Sequence, residues 1–507
     1  MGSVRGVDES SHLQIVIREV KSSRLLDIKM LSKDLIELIK QIRKNGSEDN
    51  RIEIKKAAGG CPKIYDTLSS FSNQSGGGII IFGIDQDNDF DLCGVYDADD
   101  LQKNIVSMCK QMTPVVRPMC TVATIDDKVF VSAEIQEIDM FEKPCFYTGA
   151  GRLKGSYIRV GDSDEHMTEY EIYSYEAFRQ KIQDEIRVEG RAEIEDIDTD
   201  SFAYYLTNLR RTKPQQGNLS TEKVMKLQGF SDGQKPTLAG VMMFAEYPQA
   251  FYPQLCITAV SVQGYEIGDL GDLSQRFDDN ERIEGTIPQM LKEALGFVRR
   301  NIKVRTIIDS ATGKREDKPE YPIVALREVI LNALIHRDYS IHTDLSPVTI
   351  RIFKNRIEVE NPGGLYGRMT IDELGKTIAD TRNPFIAKAM EVIGETENRF
   401  SGIPIIRRLM AEYHLPEPLF ESRRGVFKVT LFNHQETTEK TKENPLDNQI
   451  LEFCSVWRTR ADLKKQFGHL TSSYLMSYFV NPLVAQGKIA LRYPEKPRSK
   501  KQEYKTI

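Results

Sequence analysis

Three carboxylates and a lysine near the start of the chain have the residue types and spacing of a small charged site. Glu53 and Lys55 are two residues apart in a short stretch with strand character, so their side chains should share one face. Glu48 precedes Glu53, and Asp85 ends an apolar strand that follows the glycines at 76–78. Hard oxygen ligands of this kind suit Mg²⁺ or Mn²⁺. We therefore predict that Glu48, Glu53 and Asp85 bind a divalent metal and act in catalysis, with Lys55 beside them on a phosphate.

The same residues also fit a purely structural role. Glu53 and Lys55 can pair across one face of the strand, and Asp85 can open the polar turn at 85–89. The spacing alone leaves a metal site and a structural ion pair open.

A second polar group falls in an apolar helical segment at 325–338. Glu328 and Asn332 are four residues apart and project from one side of the helix, where a carboxylate and an amide can hold a water molecule and a magnesium ion. Downstream, a strand leads into the turn at 361–364, and a glycine turn at 399–404 opens another helix. Such a helix N-terminus favours phosphate. These features predict a site for a phosphate and its metal.

The elements that must position these residues fall into blocks separated by polar stretches. A chain of 507 residues suggests three to four domains, and the stretches at 184–200 and 433–445 lack apolar periodicity. We predict an N-terminal extension and three domains, at 1–30, 31–182, 200–433 and 446–507. The first stretch is expected to be a solvated connector or a polar helix, and 235–244 is expected to contain an apolar strand.

Composition narrows the class of protein. No apolar run approaches the length that crosses a bilayer, and the N-terminus lacks the apolar core of a secretory signal, so we expect a cytoplasmic protein with no membrane contact. The seven cysteines are scattered and never spaced as Cys-x2-Cys, which favours buried thiols in a reducing compartment. The net charge of −5 argues against a protein coated in nucleic acid, although the last twenty residues are basic.

The C-terminal block is predicted to contain three helices and a basic hairpin. The helices are expected at 446–454, 460–468 and 472–486, the last broken at Asn481-Pro482. This order resembles a winged helix-turn-helix domain, which binds nucleic acid or serves protein contacts alone. For nucleic acid, Ser473 and Tyr474 would contact bases, and four cations on the hairpin would contact phosphates: Lys496, Arg498, Lys500 and Lys501. Four such contacts give weak binding, so we expect a homodimer or larger homo-oligomer.

The first block resembles the Schlafen-type AlbA domain from about residue 31 to residue 178. The similarity rests on the Glu-x4-Glu-x-Lys element that ends at Lys55, the Asn-x2-Gly-Gly turn that begins at Asn73, the strand that ends in Gly83-Ile84-Asp85, and a closing strand at 155–161. The family contains nucleic-acid-binding regulators and also members whose three acidic residues cleave RNA. The resemblance therefore implies nucleic-acid binding and leaves nuclease activity open.

The order of motifs from about 236 to 432 resembles a divergent GHKL-type ATP-binding domain of the RecG-related kind. The resemblance implies that Glu328 is the water-orienting base and Asn332 the magnesium ligand. It also implies an adenine-side turn that includes Asn361, Gly363 and Gly364, and a phosphate lid made of Ser401, Gly402 and Ile403. Two departures are present: Asn361 replaces the family's aspartate, and Gly402 is the only glycine where the family's lid has a pair.

Taken with the blocks, these resemblances predict an α/β multidomain protein, of α+β organisation, similar to bacterial transcriptional regulators. It is expected to have a Schlafen AlbA-like domain, a GHKL-like ATP-binding α/β sandwich and a C-terminal winged helix. The preferred function is an ATP-binding and nucleic-acid-binding regulator of transcription or genome defence, with ATP, Mg²⁺ and DNA as ligands. The alternative is a metal-dependent Schlafen-like endoribonuclease that cleaves tRNA or other RNA under control of the later domains. Whether the protein is an enzyme, as a slow ATPase or a ribonuclease, stays open, and an interaction scaffold would require both sites to be inert.

Overall fold

The structure, a computed structural model, divides the chain into two compact units. It describes residues 30–45, 50–262, 264–268, 277–308, 315–377, 380–395, 402–423, 425–433, 445–467, 475–485, 487–494 and 502–507. One unit is Met1–Thr168 with Thr438–Ile507, and the other is Glu169–Thr437. Helices and sheets occur in both, which confirms the predicted mixed α/β class. Among the described helices, none has the length and apolar composition needed to cross a lipid bilayer.

The N-terminal part of the first unit is built on a four-stranded sheet. Its helices are α1 (Ser32–Asn45), α2 (Tyr65–Asn73), α3 (Ala98–Cys109) and α4 (Gly151–Gly155). Its strands are β1 (Ile52–Lys55), β2 (Gly78–Phe82), β3 (Ile84–Asp85), β4 (Asp91–Leu92), β5 (Met112–Thr113), β6 (Met119–Ile125), β7 (Lys128–Ile135), β8 (Phe146–Tyr147), β9 (Tyr157–Val160) and β10 (Ser163–His166). The sheet order is β1-β2-β7-β6, with β1 and β2 parallel and the other pairs antiparallel.

Alternating residues of this sheet bury two separate apolar layers. Ile54 and Ile81 belong to the layer that includes Leu35 and Ile39 of α1. Ile80 and Phe82 face the other way, into the layer formed with α2 and α3. This period-two alternation also puts Glu53 and Lys55 on one face of β1, as the sequence predicts.

The second unit is built on a six-stranded sheet. Its helices are α5 (Glu169–Gln180), α6 (Thr199–Thr212), α7 (Pro214–Gly217), α8 (Thr221–Leu227), α9 (Leu238–Phe244), α10 (Ile287–Asn301), α11 (Ile323–Ile335), α12 (Pro384–Val392) and α13 (Gly402–Glu412). Its strands are β11 (Ile257–Ser261), β12 (Asp279–Ile283), β13 (Val304–Ile308), β14 (Arg315–Pro319), β15 (Val348–Ile352), β16 (Arg356–Pro362), β17 (Leu419–Arg423) and β18 (Val426–Phe432). The six strands are ordered β12-β11-β15-β16-β18-β17, and one core joins them to α10, α11 and α13.

The strand expected within 235–244 is wrong, because residues 238–244 form helix α9. Thr237 caps this helix, with its side chain accepting a hydrogen bond from the backbone N–H of Gly240 at 3.2 Å. Every residue of α9 is buried, so no polar stripe marks the helical period in the sequence.

The stretch at 184–200 is not a solvated connector throughout. Glu185 is fully buried, and its two carboxylate oxygens accept hydrogen bonds from the backbone N–H groups of Phe385 and Ile386, both at 2.9 Å. These groups lie at the N-terminus of α12, where a carboxylate is favourable. Two short 3-10 helices, Asp184–Ile186 and Ile194–Asp196, lie in this stretch, and α6 begins at Thr199.

The C-terminal segment of the first unit contains α14 (Pro445–Phe453), α15 (Arg460–Gln466) and α16 (Asn481–Ala485). A capping box between Thr459 and Asp462 begins α15. The third helix is not broken before Pro482, because a π-helical turn at Met476–Val480 runs directly into α16. Strands β19 (Arg458–Thr459), β20 (Ile489–Leu491) and β21 (Glu503–Thr506) make a sheet in the order β19-β21-β20. The winged-helix assignment stays a prediction.

Candidate functional sites

Glu53 lies at the centre of a buried network of charges in the first unit. Its carboxylate accepts a hydrogen bond from Nζ of Lys55 at 2.7 Å and lies 2.8 Å from Nη2 of Arg159. Only 2% of the Arg159 side chain is exposed, and its guanidinium stacks over the ring of Phe71. Burial opposes the charged form of Lys55, but the hydrogen bond to Glu53 and the nearby carboxylates outweigh it and raise the pKa of the ammonium group.

Arg159 connects Glu53 to a second carboxylate that the sequence analysis did not single out. Nη1 of Arg159 lies 3.1 Å from Oδ1 of Asp164. Asp164 also accepts hydrogen bonds from the hydroxyls of Thr67, at 2.8 Å, and Ser70, at 2.5 Å, on α2. Arg159, the partner of Glu53, therefore comes from β9, more than one hundred residues later, and no local spacing could have indicated it.

Asp85 belongs to a different ion pair. Its Oδ2 lies 2.6 Å from Nζ of Lys56, an exposed lysine, and it shares no hydrogen bond or ion pair with Glu53. Glu48 lies outside the described residues. Within the described part of the chain, no three histidine, cysteine or acidic residues are grouped closely enough to hold a metal ion. The metal site of Glu48, Glu53 and Asp85 stays a prediction.

Helix α11 carries the second candidate site. Glu328 and Asn332 share one side of the helix, as predicted, and Nδ2 of Asn332 donates to Oε1 of Glu328 at 3.3 Å. Gly402, the first residue of α13, lies against the same pair: a Cβ atom there would be 2.3 Å from Oε1 of Glu328 and 3.1 Å from Nδ2 of Asn332. Burial raises the pKa of Glu328 despite the hydrogen bond from Asn332 and the charge of Arg327.

The turn that begins at Asn361 is held by the same helix. Nδ2 of buried Asn361 donates to the carbonyl of Ala333, the residue after Asn332, at 3.0 Å. Among the described residues, none donates a hydrogen bond to the buried Oδ1 of Asn361. A buried acceptor of this kind fits an amino group, such as the exocyclic amine of adenine.

Gly363 is required by its backbone conformation and by a buried arginine beside it. Its φ is +108°, and a Cβ atom would lie 2.1 Å from Nη1 of Arg382. Arg382 donates to the carbonyl of Gly364 at 3.0 Å and lies 3.3 Å from the carboxylate of Asp338. Asp338 also accepts from the hydroxyl of Tyr170 at 2.7 Å. Burial would raise the pKa of Asp338, but Arg382 and these hydrogen bonds hold it below its usual value.

The remaining predicted residues are only partly tested by the geometry. Ile403 is half-buried and its side chain lies beside Gly375. Outside the described residues lie Ser401, Ser473, Tyr474, Lys496, Arg498, Lys500 and Lys501. Sequence reasoning missed Arg382, Asp338 and Tyr170, whose contacts join residues up to 168 positions apart.

Two family models match the chain. Residues 48–168 match the model described as "Schlafen, AlbA_2", and residues 346–431 match the model described as "Putative ATP-dependent DNA helicase recG C-terminal". Both kinds of domain are therefore present. The first match ends at residue 168, where the N-terminal segment of the first unit also ends, and the domain limit expected at residue 182 stays a prediction. The second contains Asn361 and Gly402 but begins after α11, so Glu328 and Asn332 lie upstream of it.

Several solved structures resemble the chain, among them the following two. The DIP2311 protein from Corynebacterium diphtheriae is 17% identical, with 85% of this chain and 90% of that chain covered and a TM-score of 0.39. The N-terminal domain of a RecG-related protein from Nitrosomonas europaea is 25% identical, with 27% and 94% covered and a TM-score of 0.22. Both TM-scores are too low to bear on fold or function. No curated protein matches the chain.

Proposed function

We propose that the protein binds ATP with Mg²⁺ in its second unit and nucleic acid elsewhere, and that it is a regulator whose conformation responds to the nucleotide. The observation that carries this proposal is the convergence on α11. That helix presents Glu328 and Asn332 to the first residue of α13 and also holds Asn361 through a backbone carbonyl. Two segments later in the sequence thus meet at this one helix, and the three follow each other in the order of an ATP-binding domain of the RecG-related kind.

The residues fit the nucleotide in chemical terms. Asn332 would supply an oxygen ligand to Mg²⁺, and the N-terminus of α13 would face phosphate. Asn361 would accept a hydrogen bond from the adenine amine through Oδ1. Bound ATP supplies a phosphoanhydride bond that water can attack. Glu328, whose pKa is raised by burial, would accept a proton from that water and is the group we assign to slow hydrolysis.

Calorimetric titration of the full chain with ATP and Mg²⁺ tests the pocket. We expect Asn332→Ala to weaken binding by about tenfold or more, the loss of one charge-assisted contact. Asn208→Ala, on helix α6 of the same unit, is the matched control and should bind like the wild type. Glu328→Gln should abolish hydrolysis while largely sparing affinity. If binding is undetectable at millimolar ATP, or is unchanged in Asn332→Ala, the assignment of the ATP-binding site to this pocket is wrong.

Nucleotide response is a separate claim with its own measurement. The affinity of the wild type for labelled duplex DNA and for tRNA should differ with and without ATP. The same comparison in Asn332→Ala should show no difference. Equal affinities in the wild type, with ATP shown to bind, would remove the regulatory part of the proposal and leave ATP binding intact.

Metal-dependent cleavage of RNA is a second candidate, favoured by the grouping of charge around Lys55. Three carboxylates, Glu53, Asp66 and Asp164, act on the pKa of that lysine. A metal bound by Glu53 would have to compete with Lys55 and Arg159. The test is tRNA with Mn²⁺ and the variants Glu53→Ala and Asp85→Ala. Cleavage by the wild type that both variants lose supports a nuclease, whereas cleavage retained in both indicates a contaminant.

A further inference from the structure

An open cleft in the first unit lies between the loop at 59–63 and helix α3. Its volume is about 440 Å³, and its walls include Gly59 and Lys63 on the loop and Asp100 and Asn104 on the helix. None of the residues of the Glu53 network lines it. The cleft is therefore a surface separate from the predicted metal site.

The loop wall contains a glycine that the fold itself does not require. A Cβ atom at Gly59 would meet no described heavy atom within 4 Å, whereas one at Gly77 would lie 2.1 Å from the carbonyl oxygen of Ile135. Close packing therefore accounts for the glycine at position 77. No contact with a described residue accounts for the glycine at position 59. One use of glycine at an open position is to let a ligand approach the backbone closely.

The helix wall presents two hydrogen-bond acceptors in a fixed arrangement. Asp100 and Asn104 are one turn apart on α3, and Nδ2 of Asn104 donates to Oδ2 of Asp100 at 2.9 Å. The hydroxyl of Tyr96 donates to the same oxygen. Among the described residues, no group donates to Oδ1 of Asp100 or to Oδ1 of Asn104. Two adjacent acceptors suit a ligand with two adjacent N–H donors, beside the apolar surfaces of Tyr96 and Met108.

A second depression of about 430 Å³ continues along the same helix. It shares Ser107 with the cleft and is lined by Lys103 and Lys110, both exposed. Lys63 is exposed on the other side of the cleft. In a nucleic-acid strand each base lies between two phosphates. A cleft that is lined by hydrogen-bond acceptors and flanked by cations on both sides can therefore hold a base while the cations contact its phosphates.

We propose that the cleft binds a guanine base of single-stranded nucleic acid, with Lys103 and Lys110 on the neighbouring phosphates. Guanine presents N1–H and N2–H₂ side by side, which the oxygens of Asp100 and Asn104 accept, while its ring lies against Tyr96 and over Gly59. The inference rests on the proposed nucleic-acid binding and deepens it by naming the surface and the base. It is independent of ATP and of RNA cleavage.

Cys61 in the cleft wall gives a direct measurement with an internal control. Cys61 and Cys93 are both half-buried, and burial raises the pKa of both thiols. The probe is a uridine decamer with one central guanosine, added to the full chain during alkylation at pH 8.5. We expect it to slow alkylation of Cys61 at least fivefold and to leave Cys93 unchanged. Binding seen by anisotropy with no protection of Cys61 would overturn the cleft while sparing nucleic-acid binding.

Replacing the guanosine by inosine removes the N2 amino group and tests the acceptor pair. We expect inosine to weaken binding to the wild type by about tenfold, the loss of one hydrogen bond to a carboxylate. The Asp100→Asn variant should bind the guanosine and inosine decamers with equal affinity. Because Asp100 is exposed, this variant should fold. A wild type that binds the two decamers equally refutes the guanine assignment.

Lys103 and Lys110 should strengthen binding equally for every base sequence of the decamer. Lys103→Gln with Lys110→Gln should weaken both decamers equally and lower the salt slope by up to about 1.4, the value for two phosphate contacts on a single strand. Lys33→Gln is the control, because Lys33 is exposed on α1, which packs on the opposite face of the sheet. An unchanged salt slope in the double variant contradicts the strand path. Failure of every decamer to bind would count against nucleic-acid binding itself.

Discussion

Glu53 in the first unit and Glu328 in the second are both candidate catalytic glutamates, but their surroundings differ. Glu53 lies between the ammonium group of Lys55 and the guanidinium of Arg159, so fixed cations compensate its charge. Glu328 faces the amide of Asn332 and the backbone of Gly402, and burial raises its pKa. A compensated carboxylate holds a fold together, whereas a carboxylate with a raised pKa can exchange protons. The two glutamates therefore differ in the residues that the fold places around them. The spacing of acidic residues in the sequence does not reveal this difference.

The largest test of this difference is to neutralise each glutamate. Glu53→Gln leaves the nearly buried Arg159 with one carboxylate partner, and we expect the first unit to lose about 3 kcal/mol of unfolding free energy. Glu328→Gln should cost the second unit less than about 1 kcal/mol. Urea titration with thiol labelling separates the units, because Cys109 is buried in the first and Cys256 in the second. Equal losses of unfolding free energy in the two variants would show that Glu53 and Glu328 do not differ in this way.

Glu185 extends the comparison, since among the described residues only backbone N–H groups donate hydrogen bonds to its carboxylate. Burial outweighs those hydrogen bonds and raises the pKa of Glu185 to about 7. Because the folded pKa lies above the unfolded value of about 4.5, the contribution of Glu185 to stability is full below pH 4.5 and is lost as the pH rises through 7. The difference amounts to roughly 3 kcal/mol.

Calorimetry at several pH values between 5 and 8 checks the sign. The wild type should lose melting temperature relative to Glu185→Gln as the pH rises. A constant difference between the two proteins across this range would show that Glu185 does not titrate there.

A smaller effect is expected from adding one methyl group beside Glu328. In Gly402→Ala the new Cβ atom would overlap Oε1 of Glu328, so the start of α13 or the carboxylate must shift. We expect ATP affinity to fall by about tenfold, or about 1.4 kcal/mol. Gly296→Ala on α10 is the control, because its Cβ atom would meet only the end of the Arg300 side chain, at 3.9 Å. Unchanged affinity in Gly402→Ala would separate Gly402 from the nucleotide.

The smallest effect should come from Asp85, whose partner Lys56 is 59% exposed. Because solvent screens such a pair, Asp85→Asn should change the stability of the first unit by less than about 1 kcal/mol. The labelling of Cys109 in urea measures this change against that of Glu53→Gln. A loss as large as that of Glu53→Gln would mean that Asp85 is part of the same network.

Local periodicity was sufficient to predict the pairs of residues that act together on one element. The two-residue spacing of Glu53 and Lys55 and the four-residue spacing of Glu328 and Asn332 both led to direct contacts. The capped start of α15 at Thr459 was predictable for the same reason. In each case the geometry of a strand or a helix fixes the distance, and the sequence contains that geometry.

Long-range partners could not be predicted from spacing. Arg159 reaches Glu53, and connects it to Asp164, because β9 and β10 pack beside α2, and Arg382 reaches Gly363 through the loop before α12. The sequence predicts a strand where helix α9 forms, because a fully buried segment shows no polar period. The polar composition around Glu185 predicts a solvated side chain, because composition does not reveal a buried helix N-terminus that can bind a carboxylate.

The contact between Gly363 and Arg382 has an evolutionary consequence. The guanidinium occupies the space that any side chain at position 363 would need, so substitutions at these two positions should be coupled through descent. A relative that keeps the arginine should keep the glycine. Because the positive φ and the nearby Asp338 also exclude a side chain at position 363, a relative with another residue there should have both a shorter residue in place of Arg382 and a different backbone path at this turn. Asp338, which would otherwise be left as a buried carboxylate without its cation, should change in the same lineages.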